Sequence, residues 1–239
     1  MSSRPELKLD WCSYEAAKYA VEHWHYSRSL PPPPHNRIGV WEGGCFVGCV
    51  LFARGATPEL LSSYGLPTTG GCELVRVALG THSAPVSRIV SIALKLLKQR
   101  SPGLRLVVSF ADPAEGHHGG IYQAMGWIFS GDSDESVEYI GPDGKRWHGR
   151  MVSPTGLKKV YGRYRPVFRP CECERIDRPG KHRYLFPLDP EMRARILPLA
   201  KPYPKRAPVA LRSVRPSYQA EEGGSAPTPA LHLPVGAVG

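Results

Sequence analysis

No run of about 18 apolar residues occurs in this 239-residue chain, so nothing in it predicts a membrane-spanning helix. Cysteine is sparse. The six (Cys12, Cys45, Cys49, Cys72, Cys171 and Cys173) are spread along the sequence, below the density of a disulfide scaffold, and no secretory leader precedes them. A reduced, cytoplasmic setting is therefore expected. The H-x-E and P-C-x-x-C spacings of zinc deaminases are missing. Cys171 and Cys173 make a lone pair, too few for a zinc site. His23 and His25 stand two apart at the end of a predicted helix, a poor spacing for chelation, and His117-His118 lies in a glycine-rich stretch, so no metal site is read from the residues themselves. There is no internal repeat.

Acidic residues are scarce in one region only. Residues 143–215 hold 19 of the 31 Lys and Arg but 6 of the 21 Asp and Glu, a local balance of +13 that leaves −3 for the remainder. A near-neutral body with a basic C-terminal segment is the pattern of a polyanion-binding arm. Lys158, Lys159, Arg163, Arg165, Lys181 and Arg183 are the candidate contacts. A plainer role for the segment is solubility.

Hydrophobic periodicity predicts a mixed α/β chain. Ser13 is placed to cap a helix running to His25, with Ala16, Ala17, Ala20 and Val21 at helical spacing. Pro31–Pro34 lead into two strands, Arg37–Trp41 and Cys45–Arg54, that flank a Gly-Gly turn. Cys72–Leu79 reads as a strand, Pro85–Arg100 as an amphipathic helix, Leu104–Phe110 as a β-branched strand and Gly119–Met125 as a short helix. Val137–Ile140 opens a further hairpin, and His182–Phe186 reads as a final strand. The expected organisation is a domain over 1–190 and a tail over 191–239, Pro-rich and basic, then low-complexity and disordered.

The informative stretch is Leu104–Gly131. A buried strand ends at Ser109-Phe110-Ala111-Asp112, and polar residues at the carboxyl end of an interior strand tend to face a ligand crevice. Ile121-Tyr122-Gln123-Ala124-Met125-Gly126-Trp127 then resembles the end of the late helix of the GNAT superfamily, and Cys72–Leu79 with the Pro85–Arg100 helix resembles that superfamily's acyl-carrier segment. The resemblance implies a GNAT-like central mixed sheet flanked by helices, here with an irregular basic C-terminal extension. It implies an acyl-carrier donor such as acetyl-CoA. One departure stands out: the superfamily's glycine-rich pyrophosphate loop is absent, and Gly80–Arg88 replaces it. Ser87, Arg88 and helix-terminal amides are what remain there to hold an anion.

A narrower resemblance rests on four motifs together: His25-Tyr26-Ser27-Arg28, Glu73-Leu74-Val75-Arg76, Ser109-Phe110-Ala111-Asp112 and Lys181–Phe186. They are similar to the Mom family of phage DNA-modification proteins, which convert DNA adenine to an N6-carbamoylmethyl form that resists restriction. The resemblance implies a transferase with important positions at His25, Tyr26, Arg76, Ser87, Asp112 and Tyr122. It also raises an iron site involving His25 and Asp112.

The residues suit such chemistry independently. The adenine N6 amine is a weak nucleophile, so a catalyst must expose the base, orient it and take a proton. Asp112 can accept an N6–H; its plainer role is to cap the turn before Pro113. Tyr122 can donate a proton to a leaving group, or simply pack in the core. Arg76 stands in an otherwise apolar strand, where a guanidinium needs an anionic partner or a site. An ion pair with Glu73 is disfavoured by strict strand alternation. Ser109 lines the same strand end. Trp24, Tyr26 and Trp127 are candidates to stack on a base. Two other readings compete. In a GNAT acetyltransferase acting on a small amine or protein, the glycine loop should be present. In a non-catalytic DNA-binding protein, the polar strand end and Arg76 have no purpose.

Overall fold

The computed structural model describes residues 5–205 apart from 56 and 161. The chain divides into two units, residues 1–205 and 206–239, and the second lies outside the described residues. The first unit is built on a seven-stranded mixed sheet. Strand β1 (Leu7–Trp11) leads to helix α1 (Tyr14–Trp24). The Ser13 side chain caps that helix by accepting the Ala16 N–H at 3.1 Å, and Ala16, Ala17, Ala20 and Val21 are its buried stripe. Strands β2 (His35–Glu42) and β3 (Cys45–Ala53) turn through Gly43 and Gly44, both at positive φ. Strand β4 (Gly71–Leu79), helix α2 (Val86–Arg100), strand β5 (Leu106–Ala111), helix α3 (Gly120–Ala124) and strand β6 (Ile128–Asp132) follow.

The chain then leaves the sheet. Strands β7 (Ser136–Ile140), β8 (Arg146–His148), β9 (Leu157–Val160), β10 (Arg163–Pro166) and β11 (Glu174–Arg178) form two small sheets, β11-β7-β8 and β10-β9. Strand β12 (His182–Pro187) returns and inserts between β5 and β6, giving the order β1-β2-β3-β4-β5-β12-β6. Every neighbouring pair is antiparallel except β4 and β5.

Side-chain alternation divides the core between the two sheet faces. Val50, Phe52, Leu74, Val107 and Tyr184 pack with Ile89, Ala93 and Leu97 of α2 and Tyr122 of α3. On the opposite face Cys49, Leu51 and Ala78 meet the apolar stripe of α1. Farther along, Leu106, Val108, Ile128 and Leu185 meet Met192 and Ile196 of helix α4 (Pro190–Ile196).

The expected domain boundary at residue 191 falls inside α4. Asp189 caps it, accepting the Met192 N–H at 2.7 Å while also holding Arg105 at 2.9 Å. The chain then stays on the body: the Lys201 amide donates to the Phe129 carbonyl, and the Tyr203 hydroxyl to the Trp127 carbonyl, at 2.8 and 2.7 Å. Pro-rich composition hid a packed segment. Met192 is fully buried, so Met192→Ala should cost about 2–5 kcal/mol in chemical denaturation. Half-exposed Leu197→Ala should cost less than about 0.5 kcal/mol.

Candidate active site

Strands β4 and β5 separate before they end. Their parallel pairing runs from Gly71–Leu106 to Leu74–Ser109 and stops, while β4 continues to Leu79. A wedge therefore opens at the carboxyl ends of two interior strands, where α/β sheets place ligands. Two hydroxyls close its apex. Ser109 Oγ donates to the Leu74 carbonyl at 2.8 Å, and the Tyr122 hydroxyl lies 2.7 Å from Ser109 Oγ. With the Ser109 proton committed to Leu74, Tyr122 is the donor in that second bond. Burial raises the Tyr122 phenol to about 12, so it carries its proton at neutral pH. Helix α3 can hold Tyr122 there because Gly119, at its start, adopts φ +81°; a side chain at 119 would collide with the Tyr184 ring.

Arg76 reaches the same wedge by a route the strand pattern did not predict. The register between β3 and β4 slips: Phe52 faces Leu74, but Leu51 faces Arg76, leaving Val75 as a bulge. Because Ala53 faces Glu73, residues 73 and 76 point to one side, that of α1. Strict alternation would separate them. Glu73 accordingly stabilises the Arg76 charge, although burial, the larger effect, lowers the guanidinium's affinity for its proton. Arg76 also donates to the Val75 carbonyl at 2.7 Å and the Ser29 carbonyl at 3.2 Å.

The segment after α1 forms the lip. Ser27 N–H donates to His25 Nδ1 at 3.1 Å, so the neutral ring carries its hydrogen on Nε2. Burial, then the positive charge of Arg76, then His117, push the His25 imidazole down to about 4. Tyr26 contacts the tilted rings of His25 and His117, with ring centroids at 4.4 and 5.5 Å, and is 49% exposed. Its phenol is raised by burial and feels Lys181, Asp112, Arg76 and Glu115. It also influences Tyr122. Electrostatic influence links Tyr26 to Arg76, Asp112 and Tyr122 and His25 to Arg76, and Ser109 joins Tyr122 by a hydrogen bond.

Asp112 is 5% exposed. Oδ1 caps the turn after Pro113, accepting the Ala114 N–H at 3.0 Å, and Oδ2 meets Lys181 Nζ at 3.0 Å and Arg178 at 3.6 Å. Arg178 also holds Glu115 at 3.0 Å and Glu138 at 3.5 Å. This network was illegible in the sequence, because Arg178 and Lys181 lie far from Asp112 along the chain. Among the described residues no group of three or more His, Cys, Asp or Glu side chains is placed to hold a metal ion.

The loop before α2 carries a further surprise. Glu42, at the end of β2, accepts the amides of Ser83 and Ala84 at 2.7 and 2.8 Å and the Ser83 hydroxyl at 3.0 Å. A side-chain carboxylate satisfies the amides that an acyl carrier's pyrophosphate would need, so the fit of that group here is poor. Ser87 is half-buried and Arg88 exposed on the first turn of α2.

The predicted DNA contacts divide. Lys159, Arg163 and Arg165 are exposed on the β9–β10 hairpin, with Lys158 half-buried. Lys181 is the partner of Asp112, and Arg183 lies over the Phe110 ring at 5.8 Å. Of the candidate stacking residues, Trp127 is fully buried and packs on Tyr122 and Phe186, whereas Trp24 packs on Phe46. Only Tyr26 of the three presents a ring at the opening.

The Mom protein family matches this chain over residues 6–205. The chain belongs to that family. It is 30% identical over 209 residues to the methylcarbamoylase mom of Escherichia phage Mu, covering 84% of each chain. Among solved structures it is similar to a putative acetyltransferase of Acinetobacter baylyi (12% identity, 79% of this chain and 96% of that one, TM-score 0.42). It is also similar to an N-acyl amino acid synthase from uncultured soil microbes (12% identity, 80% and 94%, TM-score 0.40). Family membership makes this Mom-family chain a transferase. Among its described residues no helix is long and apolar enough to cross a membrane.

The lip geometry yields a direct test. His25 in this Mom-family chain should titrate with a midpoint near pH 4 in an NMR pH series, and Arg76→Met, which removes the adjacent charge, should move the midpoint up toward 6.5. Because the folded value lies below the unfolded one, His25 stabilises the fold above pH 6.5, and that contribution drains away between pH 6.5 and 4.

Proposed function

We propose that this chain transfers a small carbamoylmethyl-type group to N6 of adenine in double-stranded DNA, protecting phage DNA from restriction. The observation that carries this reading is the gap where β4 and β5 part, with Ser109 and Tyr122 at its apex and Tyr26 in electrostatic reach of Arg76, Asp112 and Tyr122. Membership of a family that includes a methylcarbamoylase supports the type of group.

A duplex buries N6, so the base must leave the stack, at a few kcal/mol. Tyr26, half exposed and braced by two imidazoles, offers an aromatic face worth about 1–3 kcal/mol for a stacked base. Asp112 accepts one N6–H, fixing the amine toward the wedge, and takes the proton as the new N6–C bond forms. Lys181 and Arg178 hold its carboxylate in place and limit the cost of its burial. Arg76, its charge partly stripped of water, binds a carboxylate or carbonyl oxygen of the donor. Tyr122 protonates the departing group. As it does so, the Ser109 hydroxyl can rotate from Leu74 to the new phenolate. His25, uncharged at neutral pH, keeps a second cation away from Arg76 and buttresses Tyr26.

The test is to express the protein in a bacterial host, digest the DNA to nucleosides and search by mass spectrometry for a heavier deoxyadenosine. The adduct should appear with the wild type and fall by roughly 10²–10⁴-fold in Asp112→Asn and in Tyr122→Phe. An adduct on another nucleoside, or none, overturns the reading. Undiminished adduct in Tyr122→Phe would return that residue to a packing role.

A further inference from the structure

The β9–β10 hairpin has no work in the fold that accounts for its surface. It is a two-stranded ribbon, marginal without further partners, and its pairing sorts its side chains by face. Lys158 lies opposite Arg165, so that face, shared with Arg163, sets like charges directly against each other, which destabilises a hairpin in isolation. The other face carries Tyr164 opposite Lys159, with Leu157 two residues along. Tyr164 is 71% exposed, the most exposed large apolar side chain among the described residues, and Leu157 is 50% exposed. A cationic face backed by an uncovered aromatic is costly in water and well matched to a polyanion with stackable rings.

The sheet topology roots the excursion that carries this ribbon at the end of the main sheet where β5 delivers Asp112. The excursion leaves the main sheet at Asp132 and re-enters at His182, and these two residues pair with each other. His182 pairs on its other side with Ala111, immediately before Asp112. The whole excursion is thus rooted at the sheet end where the opening lies. His148 lies within electrostatic reach of both ends: burial and then Arg150 depress its imidazole, and Lys181, the partner of Asp112, and Lys158 of the hairpin add smaller effects of the same sign. The ribbon's foot is anchored, with Trp147, Met151, Pro166, Val167 and Phe168 lining an apolar pocket and the Val167 amide donating to the Gly156 carbonyl at 2.9 Å.

We propose that the β9–β10 hairpin enters duplex DNA and that Tyr164 wedges into the base stack, holding open the gap left by the adenine displaced toward Tyr26. The inference rests on the reading of the chain as a DNA-adenine modifier. Lys158, Arg163 and Arg165 carry the flanking phosphates, which removes the repulsion across the ribbon. Tyr164, with Leu157 beside it, fills the stack in the way apolar wedges of DNA-bending proteins do. Tyr164 is a positioning residue: it touches the duplex, not the reacting atoms.

The test uses the full chain and duplex fragments in which 2-aminopurine replaces a small fraction of adenines at every position, so that its fluorescence rises when a base unstacks. Wild type should bind and raise the fluorescence. Tyr164→Ala should bind within about threefold of wild type, with the same salt dependence, yet lose most of the rise and at least tenfold of the adduct formed in the host. Tyr164→Trp should restore both. Arg163→Ala together with Arg165→Ala should instead weaken binding and flatten its salt dependence. The proposal is overturned if Tyr164→Ala keeps a full fluorescence rise, if it loses binding and fluorescence in parallel, or if Tyr164→Trp restores neither. A wild-type protein that makes no deoxyadenosine adduct defeats the underlying reading instead, and one that makes the adduct without a fluorescence rise defeats the wedge alone.

Discussion

The parting of β4 from β5 after Leu74 and Ser109 is the constraint on which the rest of the molecule depends. Two parallel interior strands that stop pairing leave backbone donors and acceptors without a ladder, and such groups demand partners. The chain supplies them sparingly. The Ser109 hydroxyl takes the Leu74 carbonyl and the Arg76 guanidinium takes the Val75 carbonyl. Each partner is a polar side chain of the same two strands, so the backbone account is closed locally. Both sheet faces remain fully packed around the gap, by α2 and α3 on one side and by α1 on the other. The opening therefore has rigid walls.

Electrostatics follow from that geometry. Arg76, Arg178 and Lys181 all approach the carboxyl end of the sheet, and each has acidic company: Glu73 for the first, Asp112, Glu115 and Glu138 for the second, Asp112 for the third. Burying charge without such pairing would be prohibitive. His25 adds the remaining control: deprived of water and close to Arg76, it stays neutral where an exposed histidine would begin to charge.

What the sequence disclosed and what it hid have separate physical causes. Local signals were legible. Ser13 as a cap, the stripes of α1 and α2, the Gly43–Gly44 turn and the strand ending at Asp112 are all set by neighbours a few residues apart. Non-local pairings were not. Nothing in His182–Phe186 says that it enters the middle of the sheet between β5 and β6, yet Tyr184 and Leu185 are fully buried there. The bulge at Val75 reversed the expected relation of Glu73 to Arg76, because a single extra residue flips every later side chain in the strand. The Pro-rich stretch after Pro187 looked like the start of a tail, and α4 sits in it because Pro190 opens the helix, where a missing N–H costs nothing. The candidate residues could be read as types but not as partners: that Glu42 would occupy the loop amides before α2 depends on where β2 ends in space.

The insertion of β12 has a consequence beyond topology. A strand that arrives late and pairs between two earlier strands obliges everything between β6 and itself to start and finish at one end of the sheet. Here that end is where β5 delivers Asp112, and the first residue before β12, Lys181, is its ion-pair partner. Arg178, closing β11, reaches the same carboxylate. The small three-stranded sheet is thus fastened to the opening by charge as well as by chain connection. Any displacement of that sheet pulls on the cations that hold Asp112. The basic excursion and the buried carboxylate at the end of β5 are, in this arrangement, mechanically coupled. Asp112, Arg178 and Lys181 are the three residues through which that coupling runs.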